Sequence, residues 1–303
     1  MDIFFILVEK LIIMFLFMLI GVYLFKKKII SEAGSESLAS LLIHLILPCV
    51  ILNGFTGGQS IEKVYGLLLS IGLSVLCLVV SILFARGFFK NNPIGHFAAA
   101  FSNPGFFGIP LIISVLGGES VFYVAPFVAC LNILQWTYGV STLKGEKITV
   151  DLKKIFTSPF IISFLLGIVL FLGRMQLPEV LDTVISTSAN LNTPIAMLVS
   201  GIYLAKADLK SMFTKFEFYK ISFIRLIIIP AASCLLLCLI PDTFSEVRMC
   251  LFMAAACPVG SNVAVYAQLH GKNYIYAVQT VVLSTILSMI TIPLWVLFVQ
   301  WVW

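Results

Sequence analysis

Residues 98–111, AAAFSNPGFFGIPL, break up a segment that is otherwise apolar enough to cross a bilayer. Neither Pro104 nor Pro110 can donate a backbone N–H to the carbonyl four residues earlier, so a continuous helix is unfavourable here. In hydrocarbon, backbone freed in this way is tolerated only where protein covers it or where it lines a wet cavity. We therefore expect Ser102 and Asn103, which stand beside the break, to face a site and not lipid.

A second segment, residues 254–268 with the sequence AAACPVGSNVAVYAQ, repeats this composition. It again combines three alanines with a proline, a glycine and a Ser-Asn pair, here Pro258, Gly260, Ser261 and Asn262. Interrupted hydrophobic segments at corresponding places in two halves of a membrane protein indicate a secondary transporter, with the substrate site where the segments meet.

The overall composition is typical of a membrane protein with many spans. Of the 303 residues, 60% are hydrophobic and 11% are charged, which is too little polar surface for a soluble domain of this size. The net charge of +5 comes from basic residues in short connections, so membrane topology explains it and no nucleic-acid partner is expected. The seven cysteines are scattered without metal-ligand spacing, so we expect neither a metal nor another cofactor.

Apolar runs of about 20 residues each predict an all-α polytopic membrane protein with ten transmembrane helices. No connection between these runs is long enough to form a domain outside the membrane. The predicted spans are 3–25, 37–55, 63–89, 94–117, 120–142, 155–173, 180–204, 217–240, 246–270 and 273–300.

Lysine and arginine residues mark one side of the predicted bundle. Basic residues follow the odd-numbered spans, as at residues 26–28 and 144–154, whereas the opposite connections hold few. Positive charge is retained on the cytoplasmic side, so this side is predicted to be cytoplasmic and both termini extracytoplasmic. The expected location is the inner (plasma) membrane of a cell, as a multi-pass protein.

Five spans precede the 142–154 connection and five follow it, which gives two halves of opposite orientation. This arrangement predicts two inverted five-helix repeats, residues 1–145 and residues 146–303. Prolines at corresponding places support the repeat, since Pro48 of span two matches Pro194 of span seven. Spans four and nine, which carry the two breaks, are expected to be broken helices that cross.

The sequence offers no arrangement of residues for catalysis, and we expect no enzyme. His44, His96 and His270 lie on different spans, and no GxSxG, HExxH or P-loop motif is present. Most acidic residues fall near the predicted span ends, which disfavours a cation antiporter, because such carriers keep buried carboxylates. His44 lies four residues before Pro48, and its role stays open.

The polar residues deep within the predicted spans are amides and hydroxyls, a set that suits a carboxylate or another polar organic solute. The half-helices that begin after Pro104 and Pro258 present unpaired N–H groups and the positive end of a helix dipole, which favours an anion. Asn53, Asn132 and Gln135 have an alternative interpretation as residues that form interhelical hydrogen bonds. The candidate substrate-binding residues are Ser102, Asn103, Pro104, Gly105, Pro258, Gly260, Ser261, Asn262, Tyr266, Asn53 and Asn192.

Arg225 is the one strongly basic residue placed well inside an apolar run, FIRLIIIP of span eight. We prefer the interpretation that its long side chain reaches the nearby membrane interface. The alternative is a counter-charge for an anionic substrate.

Two motifs, SNPGFFGIPL at 102–111 and CPVGSNVAVYA at 257–267, resemble the auxin efflux carrier (AEC) family, whose plant branch includes the PIN proteins. The Asn-Pro pair in the fourth helix of that family maps onto Asn103 and Pro104, and the ninth-helix proline maps onto Pro258. The resemblance implies a scaffold of helices 1, 2, 6 and 7 and a mobile transport part of helices 3–5 and 8–10. It places the substrate where helices 4 and 9 cross.

The same resemblance implies export or exchange of organic anions. The short 142–154 connection departs from the long central loop of the plant carriers. Auxin as the physiological substrate and control by phosphorylation of that loop are therefore unsupported. The compact form resembles bacterial members of the family, which are associated with malate, malonate and similar carboxylates.

Our hypothesis is a secondary-active or facilitative transporter of small organic anions, carboxylates or auxin-like acids, that works by an elevator-type shift of the crossed helices. One alternative is a sodium-coupled organic anion symporter resembling the bile-acid carriers, which predicts stabilisation by sodium. Another is a non-transporting membrane sensor, which predicts binding without flux. The expected partners are a small organic anion and membrane lipid, and a homodimer stays open beside a single chain.

Overall fold

The computed structural model describes residues 3–148 and 150–303, and it confirms the prediction of an all-helical chain. Apart from a single antiparallel bridge, these described residues contain no β-structure. In chain order the helices are α1 (Ile3–Lys26), α2 (Glu32–Gly54), α3 (Ile61–Phe88), α4 (Pro93–Ala100), α5 (Pro104–Leu116), α6 (Gly118–Lys144), α7 (Leu152–Phe156), α8 (Pro159–Leu172), α9 (Glu179–Asn190), α10 (Asn192–Lys206), α11 (Leu209–Thr214), α12 (Phe216–Leu237), α13 (Ser245–Ala256), α14 (Asn262–Leu269) and α15 (Tyr274–Val302).

Six of these helices are long and apolar enough to cross a membrane, namely α1, α2, α3, α6, α12 and α15. A helix of this length satisfies its own backbone hydrogen bonds, which is what a hydrocarbon environment requires. The other four predicted spans are each divided into two shorter helices: α4 and α5, α7 and α8, α9 and α10, and α13 and α14. The number of crossings and the inverted orientation of the two halves stay predictions.

A proline lies at each of these four divisions. Proline lacks the N–H that would continue the preceding helix, and its fixed φ angle suits the first turn of a new helix. Pro104 and Pro159 begin α5 and α8, Pro194 lies in the first turn of α10, and Pro258 lies in the stretch before α14.

Prolines also widen helices that remain continuous. In α2 the wide turn Leu42–Ile46 ends two residues before Pro48, and in α12 the wide turn Ile224–Ile228 ends two residues before Pro230. Because the proline ring crowds the preceding turn and cannot bond to it, the helix relaxes into a π-type turn. The side chains of these turns therefore face directions that a regular helix would not give them.

Trp295 of α15 satisfies the carbonyl that Pro230 leaves free in α12. That carbonyl belongs to Leu226, and it accepts a hydrogen bond from the indole Nε1 of Trp295 at 2.7 Å. An unpaired carbonyl in hydrocarbon is costly, so this bond stabilises the bend and links α15 to α12.

Helices α1 and α10 pack with their backbones in contact at two glycines. A Cβ atom at Gly201 would overlap the carbonyl oxygen of Met18, and one at Gly21 would overlap that of Leu198. Between membrane helices, small residues allow such close approach and the van der Waals contact that comes with it. These helices belong to the first and seventh predicted spans, both of which the family resemblance assigns to the scaffold.

We predict that Gly201→Val destabilises the protein by about 1–3 kcal/mol, because the added side chain forces α1 and α10 apart. The melting temperature of the detergent-purified protein measures this effect. Gly72→Val in α3 is the matched control, since a Cβ atom at Gly72 meets no neighbour within 4 Å. Equal melting temperatures for the two variants would contradict the close contact.

Candidate functional site

The stretch that joins α4 to α5 and the stretch that joins α13 to α14 bond to each other, and we call this contact the crossing. The N–H of Asn103 donates to the carbonyl of Pro258 at 2.9 Å. The N–H of Gly260 donates to the carbonyl of Phe101 at 2.9 Å. Each break thus satisfies backbone groups that the other leaves free, which is the condition for non-helical backbone inside a membrane.

The crossing is tight enough to require glycine at residue 260. A Cβ atom there would lie 2.7 Å from the carbonyl oxygen of Ser102 and 3.3 Å from that of Phe101. A Cβ atom at Gly108 would lie 2.8 Å from Sγ of Cys257. Glycine is needed at both places because the two segments of the chain approach each other without room for a side chain.

Asn103 caps the N-terminal end of α5. Its amide oxygen accepts a hydrogen bond from the N–H of Phe106 at 3.3 Å, and its carbonyl accepts from the N–H groups of Phe107 and Gly108. An asparagine at the N-cap position satisfies backbone N–H donors that the first turn of a helix leaves unpaired. Because the amide oxygen is used in the cap, the amide nitrogen is the group of Asn103 that is left to meet a solute.

A small cavity, here called the inner cavity, lies against both breaks and has a volume of about 30 Å³. A space of this size holds water but not an organic acid. The residues that border it come from the two breaks, from α6 and from an apolar wall opposite; they are Ser102, Asn103, Pro104, Gly105, Gly260, Ser261, Asn262, Asn132, Ile43, Leu47, Phe106, Val128, Leu131 and Phe160.

A larger cavity, here called the vestibule, lies next to the inner cavity and has a volume of about 370 Å³. The two cavities share four lining residues, namely Ile43, Asn132, Phe160 and Asn262. The vestibule also borders the residues between α7 and α8 and the end of α14, next to connections that the charge pattern predicts to be cytoplasmic. Its volume lies in the range of cavities that bind small molecules.

Amide groups from two helices form the polar wall. The amide nitrogen of Asn262 donates to the side-chain oxygen of Gln135 at 2.8 Å, and that of Asn132 donates to the carbonyl of Val128 at 2.8 Å. In the described part of the chain, the buried Ser102 hydroxyl has no hydrogen-bond partner. An unpaired buried polar group is costly, so the Ser102 hydroxyl at the inner cavity favours a polar occupant.

Tyr266 and His44 border the vestibule and not the inner cavity. The ring of Tyr266 packs edge-on against Trp136 and Phe97, with centroid distances of 5.2 and 5.5 Å. Nδ1 of His44 lies 2.9 Å from the carbonyl oxygen of Ser40, one turn earlier in α2. The aromatic packing fixes Tyr266 in one orientation, whereas His44 is exposed.

The structure brings together most of the residues that the sequence nominated. Asn53 and Asn192 border neither cavity: Asn53 lies in the last turn of α2, and Asn192 begins α10 with its amide buried and without a partner among the described residues. Pro258 belongs to the backbone of the crossing, and Tyr266 to the vestibule. The residues that meet at the inner cavity are Ser102, Asn103, Pro104, Gly105, Gly260, Ser261 and Asn262.

Some residues of the site were not nominated. Asn132 borders both cavities, although its sequence context is equally consistent with a packing role. Ile43, Leu47 and Phe160 form the apolar wall, and no sequence signal separates such residues from those that face lipid. Polar site residues could be predicted because polar residues are rare in these spans. Apolar site residues could not be predicted, because most residues of a span are apolar.

Arg225 lies beside the crossing, and the preferred interpretation from the sequence, a side chain that reaches the interface, is wrong. The side chain does not reach the interface, because only 1% of the residue is exposed. It also borders neither the inner cavity nor the vestibule. Its guanidinium group instead donates hydrogen bonds to carbonyl oxygens of Ala99, Ala100 and Ala255.

Two interrupted helices that bond at their breaks, with a polar cavity beside them, are typical of secondary transporters. The chain matches the family described as "Membrane transport protein" over residues 6–296. It therefore belongs to this family, that of the auxin efflux carriers, as the two sequence motifs predicted, and is a multi-pass membrane protein. A protein of Rhizobium meliloti (strain 1021) named "Putative malonate transporter" is 24% identical over 273 residues, which cover 84% of each of the two chains.

We predict that Gly260→Ala lowers the melting temperature of the detergent-purified protein, since the new methyl group overlaps the Ser102 carbonyl at 2.7 Å and cannot be accommodated without parting the two breaks. The expected cost is about 1–3 kcal/mol. Gly58→Ala is the control, because a Cβ atom there meets nothing within 4 Å. A Gly260→Ala protein as stable as this control would show that the crossing is not tightly packed.

Proposed function

We propose that the chain transports small organic anions, carboxylates such as malonate or malate in particular, across the inner membrane. The observation that carries this proposal is the inner cavity, where the N-terminal ends of α5 and α14 and the unpartnered Ser102 hydroxyl come together. The proposal covers both secondary-active and facilitative transport, since both would use the same site.

The chemistry of the inner cavity favours an anion over a cation. Helix N-termini carry partial positive charge and unpaired N–H groups. The amide nitrogen of Asn103 adds a donor, and the described residues that border the inner cavity include no carboxylate. A carboxylate group could accept hydrogen bonds from these donors, while the remainder of the molecule would extend past Asn132 into the vestibule.

The name of the Rhizobium relative supports malonate as the first candidate. Malonate is small enough for the vestibule, and a second carboxylate would lie among the amide groups of Asn132 and Asn262. Indole acids, the auxin-like candidates, are larger and would need most of the vestibule volume of about 370 Å³.

We further propose an elevator-type movement. In the proposed division, Ile43, Leu47 and Phe160 belong to the scaffold, whereas the two breaks belong to the transport part, together with α3, α6, α12 and α15. The solute would thus lie on the boundary between the two parts. Sliding of the transport part along this boundary, with each half as one inverted repeat, would expose the solute to the other side of the membrane.

The proposed orientation places both termini outside and the vestibule on the cytoplasmic side. The structure would then be that of a carrier open to the cytoplasm. Fusions of a cytoplasmic and a periplasmic reporter enzyme to the C-terminus test this orientation in a bacterial host. Activity of the periplasmic reporter alone is expected; activity of the cytoplasmic reporter alone would reverse the topology.

A thermal-shift screen of the purified protein tests the substrate class. A ligand that binds only the folded state stabilises it by about 2.7 kcal/mol at a hundredfold excess over its dissociation constant. We expect malonate or malate to raise the melting temperature equally in sodium and potassium buffers. Stabilisation that requires sodium would favour the sodium-coupled alternative, and binding without flux in proteoliposomes would favour a sensor.

Variants of Asn103 separate its cap from its proposed contact with the solute. Asn103→Ser keeps a capping oxygen but removes the amide donor, whereas Asn103→Ala removes both. We expect both variants to weaken malonate binding by roughly tenfold to a hundredfold, the cost of a lost hydrogen bond to a charged group. Asn103→Ala alone is expected to lose stability as well. Asn53→Ala, an asparagine outside both cavities, is the control, and unchanged binding in the Asn103 variants would refute the contact.

Cross-linking tests the elevator movement. Phe107 of α5 and Ser200 of α10 border one small cavity of about 10 Å³, together with Thr285 of α15. In the proposed division Phe107 and Ser200 lie on different parts, whereas Phe107 and Thr285 lie on the same part. We expect a cysteine cross-link between residues 107 and 200 to abolish transport reversibly, and one between residues 107 and 285 to preserve it. Transport through the 107–200 cross-linked protein would rule out this movement.

A further inference from the structure

The guanidinium group of Arg225 connects two helix ends that come from different halves of the chain. Nη1 donates to the carbonyl oxygens of Ala99 at 3.0 Å and Ala100 at 3.4 Å, at the C-terminal end of α4. Nη2 donates to the carbonyl oxygen of Ala255, at the C-terminal end of α13. The side chain is therefore held between the first segments of both interrupted helices, directly before their breaks.

These two helix ends need a positive charge. The last carbonyls of a helix have no partner within it, and each helix end carries roughly −0.5 elementary charge. Two ends together approximate one negative charge, which the single positive charge of Arg225 balances. Among the described residues no carboxylate forms an ion pair with Arg225, so the helix ends are the partners that make its burial tolerable.

The position of the side chain depends on the local shape of α12. Arg225 lies in the wide turn Ile224–Ile228, which precedes Pro230. The planar guanidinium group presents several N–H donors in a fixed fork, so one side chain can bond carbonyls on two sides at once. A lysine ammonium at this place is a compact charge without such a fork, and would satisfy the two helix ends less well.

In transporters with interrupted helices, C-terminal ends of half-helices and unwound carbonyls commonly coordinate a coupling sodium ion or proton. We propose that Arg225 is a built-in cation that occupies this position, so that the crossing is held together without sodium. This inference rests on the proposed transport function only where it concerns coupling; the structural part concerns the crossing itself. Arg225 acts as a positioning residue, because it holds the breaks in register and does not touch the solute.

The test uses full-length Arg225→Ala in detergent, without any substrate. Loss of the buried guanidinium group leaves the carbonyls of both helix ends without a partner, which is expected to lower the melting temperature by about 10 °C. Guanidinium chloride at tens of millimolar should restore part of this loss in Arg225→Ala, because the free ion can enter the vacated space and bond the same carbonyls. The wild-type protein should show no gain from guanidinium and no difference between sodium and potassium.

Arg248→Ala is the matched control. Arg248 is also a buried arginine, but it bonds the carbonyl of Ile240 and the carboxylate of Asp242, away from the crossing. Its loss should lower the melting temperature without changing malonate transport in proteoliposomes. For Arg225→Ala, transport should fall and recover when guanidinium is added, a pattern that a merely space-filling role would not produce.

Three results would overturn the proposal: a melting temperature of Arg225→Ala equal to that of the wild type, a loss that guanidinium does not restore, or sodium-dependent stabilisation of the wild-type protein. The last measurement needs no variant, so the proposal stays testable if Arg225→Ala does not fold. Because guanidinium rescue of the melting temperature is measured without substrate, it also stands apart from the proposed function. Rescue without any carboxylate transport would refute the function and support the role of Arg225.

Discussion

The need to pair every backbone polar group within the hydrocarbon region governs the whole structure. Two helices of this chain give up that pairing where proline interrupts them, and each break recovers it from the other through the bonds from Asn103 to Pro258 and from Gly260 to Phe101. A side chain completes the set, since the N–H of Val259 donates to the hydroxyl of Ser284 at 3.1 Å. A break in only one of the two halves would leave these groups unpaired.

The four helix ends at the crossing differ in how their unpaired backbone groups are satisfied. The C-terminal ends, of α4 and α13, are closed by Arg225, which is buried and bonded to both. Of the N-terminal ends, that of α5 is partly closed by Asn103, that of α14 has no side-chain cap, and both border the inner cavity. One pair of ends is thus fixed by the protein itself, and the other pair is available to a solute.

The sequence was sufficient to locate the breaks, because Pro, Gly and Ser-Asn stand out within runs of Ala, Phe and Val. It was also sufficient for the helices of spanning length and for the family. The sequence was less informative about the direction in which a residue faces around its helix and about its depth in the bundle. Asn53 and Asn192, for example, lie outside the two cavities. The preferred interpretation of Arg225 was wrong for the same reason: the residue lies in the wide turn before Pro230 with its side chain buried, and one sequence does not reveal how a helix is rotated.

The contact of α1 with α10 contrasts with the wall that faces the breaks. At Gly21 and Gly201 the two backbones interlock, and any added atom would collide with a carbonyl. At Ile43, Leu47 and Phe160 the wall is made of aliphatic and aromatic surface, whose attraction depends little on direction. The first contact therefore fixes the two helices in one register, whereas the second allows its surfaces to shift with little change in contact energy. Under the proposed transport function, the scaffold would be rigid within itself and would present a smooth surface to the part that carries the solute.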